Sequence, residues 1–170
     1  PMLPDETCNF LVFDFDNHDD NTNGDDFANT DERWREEVNA LREICRIYGV
    51  DILTERSRSG KGAHIWMFFQ EPISARLARL FGTALLTKGA ESVNQKSFRT
   101  YDRMLPAQDH MPVGGLGNLI ALPLQGQALK NGNSAFIDQD WKPYPNQWQQ
   151  LQNVNKISKA FIEKKISEWS

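Results

Sequence analysis

The strongest constraint on the fold is an apolar segment near the N-terminus that ends in two aspartates. Four consecutive apolar residues, Phe10 to Phe13, predict a strand that is buried in a sheet. Residues two apart in an extended chain point to the same side, so Asp14 and Asp16 share one face and Phe15 turns into the core. Two carboxylates this close repel each other, and a divalent cation relieves that repulsion. The pair is a candidate site for Mg²⁺ or Mn²⁺, with a pair of exposed loop acids as the alternative.

The rest of the chain mixes helix and strand patterns, which predicts an α+β or α/β domain. A polar loop over residues 17–30 is expected to lead into a helix capped by Thr30 or Asp31. Three aromatic residues, Trp141, Tyr144 and Trp148, are expected to pin the loop-rich segment that contains them. The other expected elements are a helix over 34–48, a strand pair over 50–55 and 64–69, a helix from Pro72, a strand after the glycines of 114–124, and a helix over 157–169.

Composition excludes several classes of protein. The chain has 170 residues, 39% of them hydrophobic, enough for one domain with a core. Its two cysteines cannot form a four-ligand zinc site alone and suggest reduced thiols in a cytoplasmic protein. No apolar run approaches the roughly 20 residues of a membrane span, so no membrane association is expected. The Pro1-Met2 start suggests that the single domain, residues 1–170, is a piece of a longer protein.

The net charge of -4 is unevenly distributed along the chain. Residues 1–32 carry ten acidic residues and no lysine or arginine, whereas residues 33–103 carry a net charge of +5. An acidic site beside a basic flank suits an enzyme that holds metal ions and phosphates. A solvated acidic loop on an ordinary surface explains the same counts, and charge alone favours that simpler interpretation.

A second candidate site is the glycine-rich segment SGKGAH, residues 59–64. Glycine lets the backbone approach an anion closely, and successive N–H groups in such a turn can surround one. Ser59 offers a hydroxyl group, Lys61 a cation and His64 a ring donor, with Arg56 and Arg58 just upstream. The combination predicts a triphosphate site that is distinct from the P-loop, which needs a different spacing. The alternative is an ordinary glycine turn beside a core histidine.

A third acid is expected, because two-metal phosphoryl-transfer sites commonly need one more carboxylate for the metal at the nucleophile. Spacing alone leaves Asp102 and Asp109 as equal candidates, and either could be a surface acid.

Three features occur in a fixed order: FDFD at a strand end, SGKGAH before an aromatic strand, and an isolated acid before a further strand. This order resembles the three motifs of archaeo-eukaryotic primases. The strings SRSGKGAHIWMFF, YDRMLPAQD and GNLIALPLQG resemble the primase-polymerase domains of TOTE conflict systems and of CRISPR-associated primase-polymerases. The resemblance runs from Phe10 to Trp148 and implies an α+β archaeo-eukaryotic primase fold. In that fold an N-terminal α/β unit packs on an RRM-like sheet, with the active site in the cleft between them.

The resemblance also implies roles for the acidic residues. Asp14 and Asp16 would bind both metal ions, and Asp102 would be the third carboxylate, on the catalytic metal. The implied cofactor is a pair of Mg²⁺ or Mn²⁺ ions.

The nucleotide-binding residues follow from the second motif. His64 would contact the triphosphate of the incoming nucleotide, with Ser59, Lys61 and the neighbouring Arg58 as helpers. Many family members have serine two residues before the histidine, where this chain has Gly62, so Ser59 or a backbone N–H would have to replace that contact. A polar residue entering the strand after the third motif, Asn118, is a further candidate.

The implied activity is that of a DNA-directed primase-polymerase acting on single-stranded or primed DNA with NTP or dNTP substrates. A helicase, a nuclease or CRISPR adaptation proteins are the partners that the resemblance suggests. Trp66 is expected to pack in the core, with base stacking as the alternative. Two other functions stay open: a non-catalytic single-stranded nucleic-acid-binding module of the same fold, and a DxD phosphatase of the haloacid dehalogenase type. The Asn17-His18 pair departs from the D-x-D-x-[TV] pattern of those phosphatases.

Overall fold

A computed structural model describes residues 2–17, 30–115 and 117–170 of the chain, and the side chains of residues 30–32 lie outside that description. Most of the expected polar loop, and the capping side chain expected at Thr30 or Asp31, therefore lie outside the described residues. The described elements are, in order, β1 (Thr7–Asp16), α1 (Thr30–Ile47), β2 (Leu53–Arg56), β3 (Gly62–Ser74), α2 (Ala75–Ser92), β4 (Tyr101–Leu105), α3 (Gly126–Leu129), α4 (Gln147–Asn153) and α5 (Lys159–Trp169).

The four strands form an antiparallel sheet in the order β2-β3-β1-β4. The expected hairpin of β2 and β3 is confirmed, with Leu53 opposite Trp66 and Arg56 opposite Ala63. Strand β1 lies between β3 and β4, so a motif at its C-terminal end has a neighbouring strand on both sides. The α+β class is confirmed.

The side chains of β1 alternate between the two faces of the sheet. Leu11, Phe13 and Phe15 are fully buried on the face that α1 and α2 cover, as the apolar run predicts. Val12 points to the other face, which carries a smaller cluster. That cluster comprises Val12, Leu53, Trp66, Leu105 and Phe136. Since Asp14 and Asp16 are in phase with Val12, they belong to the face opposite the helices.

The strand expected within residues 114–124 is wrong, because no residue of that segment that the structure describes is in a strand. Gly114, Gly117 and Leu124 have positive φ angles, which break an extended path. Residues 134–137 instead pair with the outer edge of β2. The N–H of Ser134 donates to the Arg56 carbonyl (2.8 Å), and those of Arg56 and Ile137 donate to the carbonyls of Ala135 (3.0 Å) and Thr54 (2.9 Å).

Two other expectations need correction. The second helix begins at Ala75 and not at Pro72, because β3 runs on to Ser74, whose hydroxyl accepts the Leu77 N–H and caps the helix. Of the three expected aromatic anchors, Trp141 and Tyr144 pack against the two clusters. Trp148 is 67% exposed and does not.

Both cysteines are free and buried, as expected for reduced thiols. Burial raises the pKa of Cys8 to about 11 and that of Cys45 to about 12, so neither thiol is a reactive nucleophile. Within the described part of the chain, no helix is long and apolar enough to cross a membrane.

Candidate active site

Asp14 is the point at which the predicted motifs meet. On β1 it lies opposite His64 of β3 and opposite Arg103 of β4. The His64 ring contacts one carboxylate oxygen (Nε2 to Oδ1, 3.2 Å), and Arg103 approaches the other (Nε to Oδ2, 3.6 Å). The Asp14 side chain is 18% exposed, so it is partly accessible to solvent.

Asp16 lies opposite Gly62, the residue two positions before His64. A Cβ atom added at Gly62 would overlap the Phe15 carbonyl oxygen and lie 3.2 Å from the Asp16 Cα. Backbone atoms cannot move aside without breaking the β1–β3 pairing. Glycine is therefore required by this close approach, and a side chain here cannot supply a phosphate contact.

Asp102 lies at a bulge in β4, the strand that pairs with β1. The cross-strand pair Asp14–Arg103 is followed by Phe15–Tyr101, so Asp102 is an extra residue between them. Bulges of this kind redirect a side chain and are frequent next to active sites. Asp102 is thus within β4, whereas the motif order had placed it before a strand.

Asp109, the other candidate for the third acid, is at the opposite end of the sheet. Its carboxylate accepts from Arg79 (Nε to Oδ1, 2.9 Å). The next residue, His110, contacts Glu6, which directly precedes β1 (2.8 Å). The structure therefore brings Asp102, and not Asp109, to the Asp14 end of β1.

The donor atoms at this end of the sheet suit a hard divalent cation. Asp14 and Asp16 are carboxylates on one face of β1, and carboxylate oxygens are ligands of hard cations. Asp14 already contacts two basic side chains, His64 and Arg103. In the described ranges no three Asp, Glu, His or Cys side chains are arranged to share one ion. The residues fit Mg²⁺ or Mn²⁺ in their chemistry, with Asp14 held by protein cations in the arrangement seen here.

The SGKGAH turn uses its own backbone donors. The N–H of Gly60 donates to the Ser57 carbonyl (2.9 Å), and that of Lys61 donates to the Ser59 hydroxyl (3.2 Å). The Arg56 guanidinium holds the turn through the Gly60 carbonyl (3.0 Å). The expected ring of free N–H groups is therefore not available at these positions. The side chains of Arg58, Ser59 and Lys61, in contrast, are exposed.

His64 lies between two carboxylates. Its Nδ1 contacts the Glu55 Oε1 atom (3.0 Å), opposite the contact of Nε2 with Asp14. Burial, the largest single influence, lowers the pKa of His64, but the hydrogen bonds and charges of Asp14 and Glu55 together raise it to about 9. The ring is therefore a cation at neutral pH, able to donate from both nitrogens.

Residues 1–165 match the archaeo-eukaryotic primase domain of TOTE conflict systems. The chain belongs to this family. No curated protein shows a significant match to the chain. Membership confirms the resemblance drawn from the three motifs and assigns the α+β fold to an archaeo-eukaryotic primase domain, with a function of the primase or nucleotidyltransferase type.

Sequence reasoning missed Glu55 and Glu37, two buried carboxylates that support the site of this primase domain. Glu37 is 1% exposed and accepts the N–H groups of Arg99 (2.9 Å) and Thr100 (2.7 Å), immediately before β4. A signal was present, because Glu37 falls at helical spacing between Trp34 and Leu41 on the apolar face of α1. A charged residue there needs a buried partner.

Asn118 is not in a strand, in contrast to the expectation, and its side chain is exposed. Two neighbours, Ile120 and Leu124, pack against the cluster that contains Trp66. Trp66 itself is 3% exposed and donates its Nε1–H to Glu55 (2.8 Å), so the core interpretation is confirmed and base stacking on Trp66 is wrong.

A cavity of about 440 Å³ in the primase domain lies away from the motif residues. It is formed by α1, β2 and the segment after residue 136, and Asn39, Arg42, Thr54 and Tyr144 are among its lining residues. Arg42 donates to the Asp138 carbonyl (2.8 Å) and lies over the Trp141 ring (5.9 Å from the ring centre). These contacts give Arg42 a structural role, as a tether of that segment to α1.

Proposed function

We propose that this primase domain is the catalytic core of a DNA-directed primase-polymerase. It would transfer a nucleotide from NTP or dNTP to a primer 3′-hydroxyl or to an initiating nucleotide. The observation that carries the proposal is the register of the sheet. Asp14 of the first motif lies opposite His64 of the second, and Asp102 of the third is the bulged residue of β4, which pairs with β1. Three motifs that are far apart in the sequence thus meet on adjacent strands.

Metal binding is assigned to the carboxylates Asp14, Asp16 and Asp102. Two Mg²⁺ or Mn²⁺ ions would supply activation of the hydroxyl nucleophile and neutralisation of the pyrophosphate leaving group when bound. Asp14 is buried enough to be held in place by its strand neighbours, and Asp16 and Asp102 are exposed at the strand ends. The neighbouring strands therefore hold Asp14 in place, whereas Asp16 and Asp102 are accessible to solvent.

Nucleotide binding is assigned to His64, Lys61, Ser59 and Arg58. The His64 cation presents Nε2–H towards the Asp14 side of the site, where a triphosphate would compete for it with the carboxylate. Lys61 and Arg58 project from the neighbouring turn as exposed cations. Charge-assisted hydrogen bonds from such groups stabilise the triphosphate and the charge that develops on it during transfer.

The template path is assigned to basic residues on either side of the site. Arg58 and Lys61 lie at one side, in the turn between β2 and β3. Arg99 and Arg103 lie at the other, at the start of β4 and within it, and both are exposed. Two basic rims beside a metal site suit a single strand of DNA, whose phosphates are held by lysine and arginine without sequence preference.

The proposal is tested by primer extension on a templated single strand, with Mg²⁺ or Mn²⁺ and with each nucleotide set. We expect extension and release of pyrophosphate by the wild type, and neither from the Asp14→Ala/Asp16→Ala double variant. Asp140→Asn is the matched control, since Asp140 is an exposed acid away from the sheet. Extension that survives in the double variant would contradict the proposal, and release of inorganic phosphate would point to the phosphatase alternative.

One observation favours a second candidate, the non-catalytic single-strand-binding module. Both Asp14 oxygens already have cationic partners, and among described side chains no three acids converge on one point. This candidate predicts that the protein binds single strands equally well with and without EDTA and never extends a primer.

A further inference from the structure

Glu55 is a buried carboxylate that none of the three motifs includes. It lies on β2 opposite His64 and is 2% exposed. We propose that Glu55 is a positioning residue, which fixes the His64 imidazole so that Nε2–H faces the nucleotide. This inference rests on the proposed function for the role of His64, although the geometry itself does not depend on it.

The contacts of Glu55 leave little freedom to either side chain. Its Oε1 atom accepts from the His64 Nδ1 (3.0 Å) and from the Trp66 Nε1 (2.8 Å). Its Oε2 atom lies 3.5 Å from the hydroxyl of Ser134. Ser134 is itself fixed, because its backbone bonds to Arg56 and its hydroxyl accepts the Gln125 N–H (3.1 Å). Glu55 is thus held by two partners besides the histidine, Trp66 of β3 and Ser134.

The physical consequence concerns which ring nitrogen faces which partner. A carboxylate can only accept, so the nitrogen facing Glu55 carries a proton, and Nδ1–H is committed to it. If the ring turned, the buried Glu55 carboxylate would lose its charged partner and keep only neutral donors, which is costly. Nε2–H therefore stays directed at the Asp14 side, where the triphosphate is expected. Removal of the partners that orient metal-binding histidines commonly changes affinity or activity by about 10–100-fold, and we expect an effect of this order for the partner of His64.

A purely structural role would make different predictions. If Glu55 only joined Trp66 to the rest of the core, its loss would lower the melting temperature without changing how the folded protein binds nucleotide. If only its negative charge mattered, Glu55→Asp would behave as the wild type. A positioning role depends on reach, because an aspartate at this place is one methylene shorter and cannot contact His64 and Trp66 together.

The first test is steady-state primer extension by Glu55→Asp, Glu55→Ala and Glu55→Gln, alone and combined with His64→Ala. We expect Glu55→Asp and Glu55→Ala to raise the nucleotide KM by about tenfold or more, with a smaller change in kcat. Glu55→Gln keeps the reach and one acceptor, so its KM should rise less. In the His64→Ala background none of the three should change KM further, since Glu55 acts through His64. Glu91→Gln, an exposed glutamate on α2, is the control.

Two results would overturn the inference: a wild-type KM for Glu55→Asp, or an equal rise in KM with and without His64. The second test does not depend on activity. In ¹H–¹⁵N spectra of the imidazole groups we expect a His64 Nδ1–H signal that is absent in His64→Ala, shifted in Glu55→Gln and lost to exchange in Glu55→Asp. A wild-type Nδ1 without a proton would overturn the positioning role. If the signals behave as expected but the wild type extends no primer, the proposed function fails and the geometry of Glu55 stands.

Discussion

Asp14 shows how much one residue depends on its strand neighbours. Its side chain is only 18% exposed, and contacts from His64 and Arg103 engage both of its oxygens. These cations stabilise a carboxylate that burial alone would penalise. The phosphates of a nucleotide would attract the same two cations. A bound triphosphate could then replace Asp14 as their partner without a change in the sheet.

Lys61 provides a prediction at this scale. Its side chain is exposed beside His64, and the Asn17 N–H donates to its carbonyl (3.0 Å), which ties it to the end of β1. Lys61→Ala should raise the nucleotide KM by about tenfold, because one charge-assisted hydrogen bond to phosphate is lost, while kcat changes little. Lys164→Ala on α5, also an exposed lysine, should leave both constants unchanged. A wild-type KM in Lys61→Ala would remove Lys61 from the nucleotide site.

Gly62 provides a second prediction. Any Cβ at this position meets the backbone of Phe15 and Asp16, which cannot give way as a flexible side chain can. Gly62→Ala should lower the free energy of unfolding by about 1–3 kcal/mol, measured by urea denaturation. Gly126→Ala is the matched control, since a Cβ there meets no atom within 4 Å. Equal stability of the two variants would show that β1 and β3 are further apart than described.

At the scale of elements, β4 depends on α1. Glu37 of α1 accepts the N–H groups of Arg99 and Thr100, and this contact sets where the chain enters β4. Two residues later the bulge exposes Asp102. A helix on one face of the sheet thus fixes the position of an acid on the strand at its edge.

Replacement of Glu37 by glutamine tests this link. Glutamine has one acceptor oxygen in place of two and brings an N–H₂ group towards backbone donors. Glu37→Gln should therefore cost about 1–3 kcal/mol in the free energy of unfolding and reduce extension by the folded protein, because Asp102 is no longer held in place. Glu36→Gln changes the neighbouring exposed residue and should do neither. Loss of stability with wild-type extension by the folded fraction would separate Glu37 from the site.

The elements also show which features the sequence could predict. Strand β1, the β2–β3 hairpin and helix α1 have strong apolar patterns, and all three are found. Strand β4 was not predicted, because its five residues include a bulge that disrupts the alternation, and it exists through its pairing with β1. The strand expected after Gly117 is not found among the described residues. Residues 134–137 pair with the edge of β2 instead.

The candidate site was predictable in part. Asp14, His64 and Asp102 follow from motif order, and the structure places them on adjacent strands. The role of Glu55 could not be assigned from the sequence, because a glutamate in a short strand is expected to be exposed as long as its partners are unknown. Its contacts with His64, Trp66 and Ser134 join residues that are 9, 11 and 79 positions away. Such contacts are products of the fold and leave no local signal.

At the scale of the whole molecule, the two faces of the sheet have different surroundings. One face packs against α1 and α2 and forms the main core, and the other carries Asp14, Asp16 and His64. On this second face Asp14, from the acidic N-terminal part of the sequence, contacts His64 and Arg103, from the basic part after it. Three residues to which the proposed function assigns metal or nucleotide binding thus lie on the face opposite the main core.

The measurement that tests the account most directly is primer extension by single variants of four aspartates, each checked for its melting temperature. Asp14→Asn, Asp16→Asn and Asp102→Asn should reduce extension to the level without enzyme, because the proposed function assigns metal binding to all three carboxylates. Asp109→Asn should retain extension, since Asp109 pairs with Arg79 at the opposite end of β1. Wild-type extension by Asp102→Asn, or its loss in Asp109→Asn that is still folded, would contradict the proposal that the bulge in β4 completes the active site.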